Sequence, residues 1–377
     1  MQKETTPVAC HREAFEKGCD DPIRYNRVGL LRFARNDTNA ICYDKRSFAT
    51  LRMTTLVSIL VMLLSSCSKI ERPANAPLRL GYLLNMTHAV PIVGIEEKIF
   101  SNIESHFFTA GGHLLNGILT DNIDIGYIGP GPYLNARHKN IDLVLLSVSA
   151  IGGNTIVLDQ EPRPLKKLAV PQLGNTQDLL AKILFAPRID LFQNSQEQGL
   201  RVRKIRSLLN VNENFEDERN AAIGSLGKGL DFVPVNPAEL ETALHINAVE
   251  AALVAEPWGT VLESKGYKVI DDLGSINDFP TTILVVRKEF YDSHKQQIDQ
   301  FLKEEQTTLD FIKSNPDKAL LDIQQHLKTN AKKELKIDFL KKSFNRVKFK
   351  NELDRNKLQE LVDIAREVKY FRHEVSF

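Results

Sequence analysis

Between residues 78 and 180 the chain stops and restarts in one recurring way: a short apolar run meets a loop of glycine, proline, asparagine or threonine, and a new run begins. Leu78-Arg79-Leu80-Gly81-Tyr82-Leu83 leads into Asn85-Met86-Thr87-His88-Ala89-Val90-Pro91, and 123–128 is cut off by Gly129-Pro130-Gly131-Pro132. A run at 143–148 precedes Gly152-Gly153-Asn154, and one at 167–170 precedes Gly174-Asn175-Thr176-Gln177-Asp178. Short strands alternating with helical patterns demand an α/β fold, because parallel neighbours must be joined by a crossover, usually a helix. Strands expected at 154–158 and 281–287 link two such series. The expectation is therefore two lobes, each a mostly parallel sheet flanked by helices, with a double-strand hinge and a cleft between them.

Within this frame Pro91 opens a helical pattern carried by Ile92, Ile95, Ile99 and Ile103. A second short helix follows Gly111-Gly112. Near the C-terminus Leu358, Leu361, Val362, Ala365 and Val368 form one apolar stripe. The stretch 186–230 is charged, poorly periodic and rich in Asn, Gln and Glu, which reads as a flexible surface insertion. The loops themselves leave backbone N–H groups free at helix starts, where the dipole favours anions. Singly, an Asn or Thr there is a cap and a Gly-Pro pair a turn. Together they point to an anion cleft.

The charge balance excludes other classes. A net charge of +1 over 377 residues, with no basic run interleaved with aromatics, argues against a nucleic-acid partner. The cysteines are Cys10, Cys19, Cys42 and Cys67, so everything after Cys67 lacks a disulfide, a Cys-based zinc site and a thiol nucleophile. The nine histidines are scattered without metal-ligand spacing, and no Walker loop, Ser-His-Asp pattern or HExxH motif is visible. No metal and no cofactor is expected, and no enzymatic activity.

The segment 53–66 has an apolar stretch of about nine to twelve residues, too short for roughly 30 Å of hydrocarbon but right for a signal peptide. Leu64-Ser65-Ser66-Cys67 resembles the lipobox of bacterial lipoproteins, which implies lipidation at Cys67 and a membrane anchor at the periplasm or cell surface. The polar run 67–77 is then a tether. Residues 1–52 contain strings such as Gly29-Leu30-Leu31-Arg32-Phe33-Ala34-Arg35-Asn36-Asp37-Thr38 that resemble translated bacterial repeat DNA. They are expected to be a spurious extension ahead of a start at Met53 or a nearby codon.

Five strings taken together carry a further resemblance: Gly81 through Ala89, Ile123 through Pro132, Pro171 through Asp178, Ala255-Glu256-Pro257-Trp258 and Phe279 through Val286. They resemble, in order and spacing over about residues 78–315, the NMT1-like substrate-binding proteins of nitrate, sulfonate and taurine ABC importers. The stretch 158–167 is shorter, and 186–230 longer, than is usual there. The resemblance implies a type II periplasmic-binding fold, with 78–160 and 275–377 as the first lobe and 161–274 as the second. It implies a monomer that binds a small anionic solute and docks on ABC permease and ATPase subunits. Carried over, Asn85, Thr87 and His88 offer side-chain hydrogen bonds. Gly129, Pro130, Gly131, Gly153, Asn154, Gly174, Asn175 and Thr176 line the cleft with backbone and amide donors. Glu256 and Trp258 shape its far wall, and Thr281 is a further ligand-binding candidate. The alternative on this fold is a thiamin-pyrimidine-precursor binder or a related biosynthetic enzyme, and such synthases carry a cysteine-rich motif that this chain lacks.

Overall fold

The computed structural model describes residues 72–371 apart from 74–75, 162, 164, 186–229, 271–278 and 333. The segment 1–52, the expected signal peptide, Cys67 and nearly all of the 186–230 stretch lie outside the described residues. The first lobe opens with β1 (Leu78–Leu83), a 3-10 turn (Met86–His88), α1 (Ala89–Glu96), β2 (Ile103–Phe108) and α2 (Gly111–Leu119). It continues with β3 (Ile125–Ile128), α3 (Pro130–His138) and β4 (Leu143–Gly152). The second lobe holds β5 (Asn154–Leu158), β6 (Lys167–Val170), α4 (Thr176–Leu184), β7 (Asp231–Pro234) and α5 (Leu240–His245). Then come β8 (Ala251–Ala255), α6 (Trp258–Glu263) and β9 (Lys268–Ile270). The chain returns as β10 (Pro280–Arg287), α7 (Lys288–Ser293), α8 (Lys295–Ser314) and α9 (Pro316–Ala331). It ends with α10 (Ile337–Asn345), β11 (Val347–Phe349) and α11 (Arg355–Glu367).

The strands form a six-stranded sheet, β11-β4-β10-β3-β1-β2, and a five-stranded sheet, β7-β6-β8-β5-β9. Each has a parallel core of the kind the alternation predicts, β2-β1-β3 in one and β7-β6-β8 in the other. The strands at the crossovers add to these cores antiparallel: β10 beside β3, and β5 beside β8. Both sheets are therefore mixed. β10 shows why its sequence is apolar almost throughout. Ile283 and Val285 join the core under one face of the sheet, and Leu284 and Val286 join the core under the other, as expected of a strand covered on both sides.

The helix expected to run from Pro91 through Ile103 is shorter than its periodicity suggests. α1 ends at Glu96, Lys98 takes a left-handed φ of 54°, and the N–H groups of Ile99 and Phe100 both return to the Gly94 carbonyl. Phe100 folds back to stack on Phe301 at 4.6 Å. Ile103 instead begins β2, an edge strand parallel to β1. Its exposed Glu104, Ser105 and Phe107 leave no clean alternation to read. The end of the expected tether is also held to the domain: the Arg72 guanidinium reaches buried Asp124 at 2.5 Å and the Pro77 carbonyl at 2.8 Å.

Two further features of the packing were not visible in the local pattern. Glu305 of α8 is fully buried against the sheet, where the hydroxyls of Tyr127, Ser147 and Ser149 donate to it at 2.9–3.1 Å. In addition, α11, expected within the first lobe, reaches the second. Its Leu361, Val362, Ile364 and Ala365 share a core cluster with Leu179, Leu180, Ile183 and Leu184 of α4.

Candidate functional site

The starts of α3 and α4, one from each lobe, meet at the carboxyl ends of β3 and β6. Gly129 is the N-cap of α3, with Pro130 at its first position. Proline has no N–H, so Pro130 and Pro132 bring no donors and the expected set in this loop shrinks to Gly129 and Gly131. In α4 the N-cap Asn175 accepts the Asp178 N–H through Oδ1 at 2.8 Å. The Asp178 carboxylate in turn accepts from the Gly174 N–H at 2.8 Å and from Lys182 Nζ at 2.6 Å. A Cβ on Gly131 would lie 2.5 Å from the Asn175 carbonyl carbon and oxygen and 2.8 Å from the Thr176 nitrogen. One on Gly129 would lie 1.8 Å from the Thr176 hydroxyl oxygen and 3.5 Å from the Thr281 carbonyl oxygen. The absence of side chains lets the two helix starts touch.

The first loop is braced from within. Asn85 Oδ1 accepts both the N–H and the hydroxyl of Thr87, at 3.0 and 2.9 Å, and Thr87 Oγ1 accepts from Thr282 Oγ1 at 3.1 Å. The Thr281 hydroxyl turns away to the Ala150 carbonyl at 3.2 Å. His88 accepts the Leu83 N–H on Nδ1 at 3.2 Å. Complete burial lowers its pKa to about 3, so it is a neutral imidazole holding the loop, not a cation facing a cleft.

At the hinge, Gly152 and Gly153 take positive φ angles of 78° and 69°, a region that favours glycine. Gly153 N–H donates to the Arg346 carbonyl, Glu256 N–H to the Gly153 carbonyl and Met86 N–H to the Glu256 carbonyl, at 2.8, 2.8 and 2.9 Å. A Cβ on Gly153 would meet the Thr87 methyl at 2.9 Å, which brings the first loop to the crossing point. The next residue, Asn154, is 2% exposed and accepts from Gln177 Nε2, in the first turn of α4, at 2.8 Å. Its own Nδ2 has no hydrogen-bond partner. A buried donor without an acceptor is uncommon and costs on the order of 1–3 kcal/mol.

The far wall is built differently from the expectation. Glu256 is completely buried, and its carboxylate accepts from Arg346 Nη1 at 2.7 Å, Ser343 Oγ at 2.9 Å and the Thr260 N–H at 3.1 Å. Arg346 also reaches Thr260 and Glu263, at 2.8 and 2.9 Å. Glu256 thus ties α6 to the segment between α10 and β11. Trp258 packs half-buried against the second-lobe cluster that includes Val157 and Leu240.

Gln177, Thr282, Asn135 and Arg346 were not singled out by sequence. Gln177 and Thr282 lie inside segments that carry the family resemblance, and Asn135 sits one turn past the Gly-Pro loop, so each has a local signal. Arg346 had none, since its partners are more than eighty residues away. Among the described residues no group of three His, Cys, Asp or Glu is placed to hold a metal ion, and no helix is long and apolar enough to cross a membrane.

A model of the NMT1-like family matches residues 71–321. Comparison with curated protein sequences finds no match. Among solved structures, the zinc-bound ligand-binding component of an ABC-type import system from Staphylococcus aureus is 17% identical, with a TM-score of 0.60 over 78% of this chain and 93% of that one. The alkanesulfonate-binding protein SsuA from Xanthomonas axonopodis pv. citri, bound to MOPS, is 14% identical, with a TM-score of 0.58 over 81% and 96%. The periplasmic nitrate-binding protein NrtA from Synechocystis PCC 6803 is 15% identical, with a TM-score of 0.53 over 72% and 71%. These likenesses establish a periplasmic-binding-protein fold.

Proposed function

Since this chain belongs to the NMT1-like family, we propose that it is an extracytoplasmic solute-binding lipoprotein. It captures a small anion, such as an aliphatic sulfonate, taurine or nitrate, between its lobes and presents it to an ABC permease. The observation that carries the reading is Asn154: a buried amide donor without a partner, at the hinge and against the first turn of α4. An oxyanion at that point would accept from Asn154 Nδ2 and gain from the partial positive charge of the α3 and α4 starts. The groups brought together here are amides, hydroxyls and glycine backbone, with the buried Asp178 carboxylate held by the Gly174 N–H and Lys182. They offer donors but no acid, base or nucleophile of catalytic strength, so the proposal is capture without turnover. The names of the similar structures support an importer component. Cys67 supplies the lipid anchor in this reading, with permease and ATPase subunits as partners.

A thermal-shift panel of methanesulfonate, taurine, nitrate, bicarbonate and a neutral aminopyrimidine tests it. At least one anion should raise the melting temperature, by roughly 3 kcal/mol of stabilisation at a hundredfold excess over Kd, and Asn154→Leu should lose the response. A panel in which no anion stabilises the protein sinks the reading, and a response to the aminopyrimidine alone replaces the anion with a neutral heterocycle. For the anchor, Cys67→Ala should move the protein from the membrane to the soluble fraction. Unchanged membrane retention would refute it.

A further inference from the structure

The end of the chain, beyond the 71–321 family match, crosses from one lobe to the other at the helix starts just described. β11 is paired with β4 in the first sheet. Immediately after it, the Lys350 N–H bonds to the Ser149 carbonyl at 3.2 Å and Asn351 Nδ2 to Gln306 Oε1 at 2.7 Å. α11 then lies on α4, in the second lobe, through the apolar residues named above. At its far end Tyr370 returns to the first lobe. Its hydroxyl accepts from Asn135 Nδ2 of α3 at 3.0 Å and donates to the Asn175 carbonyl, the N-cap of α4, at 3.4 Å. The same Asn135 Nδ2 donates to the Gly174 carbonyl at 2.9 Å. Lys182 Nζ sits 5.1 Å from the centroid of the Tyr370 ring, and Phe371 stacks on His138 of α3 at 5.8 Å.

We propose that residues 350–371 form a latch that holds the lobes closed, with Tyr370 and Asn135 as its catch. This rests on the reading that the lobes part to exchange a guest. Two kinds of contact divide the labour. The apolar residues of α11 share a core cluster with those of α4, and the same cluster takes in Tyr133 and Leu134 of α3. The polar contacts that Tyr370 and Asn135 make between α3 and the α4 start are a small set of neutral hydrogen bonds, which water can replace when the cleft opens. Burial keeps the Tyr370 phenol pKa raised above its ordinary value, so the catch stays a neutral donor and does not titrate near neutrality. Tyr370 is a positioning residue: it touches Asn135 and Asn175 and sets the separation of the helix starts that would face the guest.

The test measures lobe separation with no anion from the panel present. Spin labels at Lys139→Cys and Ile246→Cys, both exposed positions, one in each lobe, are placed in a full-length chain with Cys10, Cys19, Cys42 and Cys67 changed to Ser. Loss of one such hydrogen bond by Tyr370→Phe should raise the open-to-closed ratio roughly fivefold. Asn135→Leu, which also loses the Gly174 contact, should raise it further. A Phe side chain keeps the ring packing, so a merely structural role for Tyr370 predicts an unmoved distance distribution. Unchanged distributions in both variants overturn the latch. So does failure of Tyr370→Phe to fold, which would make the hydroxyl part of the core. The outcome is independent of which anion, if any, the protein binds.

Discussion

Glu305→Gln separates the cost of burying a charge from the gain of its hydrogen bonds. In the native chain burial raises the Glu305 pKa from 4.5 to about 7, against hydrogen bonds from Ser147, Tyr127 and Ser149 that favour the carboxylate. The fold therefore prefers the protonated acid. With the folded pKa raised above the unfolded one, this preference contributes fully below about pH 4.5 and is lost as pH rises through 7. The difference of pKa corresponds to roughly 3 kcal/mol as an order of magnitude. Glutamine has the shape of the neutral acid and accepts from Tyr127 and one serine while donating to the other. It should be close to wild type at pH 4.5 and more stable at pH 8, by up to ~3 kcal/mol. Urea denaturation of both proteins from pH 4.5 to 8.5 provides the assay. Subtracting one curve from the other cancels every other titrating group, and any mispacking by the amide adds a constant offset. A difference that stays flat across this range, or that favours wild type increasingly as pH rises, refutes the reasoning.

Two further outcomes follow from close contacts. Gly131→Ala places a methyl 2.5 Å from backbone atoms of Asn175, which cannot rotate aside. Overpacking of this kind costs roughly 1–3 kcal/mol, and under the proposed closure it falls mainly on the closed form. Affinity for whichever anion stabilises the wild type should fall about tenfold by calorimetry with the unfolding midpoint little changed; unaltered affinity would show that closure does not need this contact. Arg346→Met leaves the buried Glu256 carboxylate without its cation and should cost about 3–5 kcal/mol in urea unfolding. Adding Glu256→Leu should recover most of that loss. A single variant as stable as wild type would mean the pair contributes nothing.

The architecture was legible because its rules are local. Apolar 78–83, 154–158 and 251–254 need no distant partner to read as strands, and Asn175-Thr176-Gln177-Asp178 announces a helix start by its capping chemistry alone. Legibility failed where a residue's role is set by something far along the chain. The spacing of Ile99 and Ile103 is helical, yet Lys98 turns the chain because Phe100 packs on Phe301 and Ile103 pairs with Leu78. Sequence offers Asn85, Thr87 and His88 as side-chain hydrogen-bonding groups without naming their partners; in the structure Asn85 and Thr87 bond to each other, Thr87 takes a further bond from Thr282, and His88 braces Leu83.

Glu256 shows the same limit at the hinge and says what the site is made of. A lone Glu-Pro-Trp string suggests a carboxylate on a cleft wall, and an anion cleft would be expected to avoid one. Arg346 resolves the conflict by arriving from ninety residues away and neutralising Glu256. Around Asn154 the polar neighbour is the neutral amide of Gln177, and the α4 start is brought against α3 by the missing side chains of Gly129 and Gly131. A guest held by neutral dipoles gains less from a second negative charge than it loses in dehydration. In the proposed reading the cleft would then suit singly charged anions, with the spacing of α3 from α4 deciding among them.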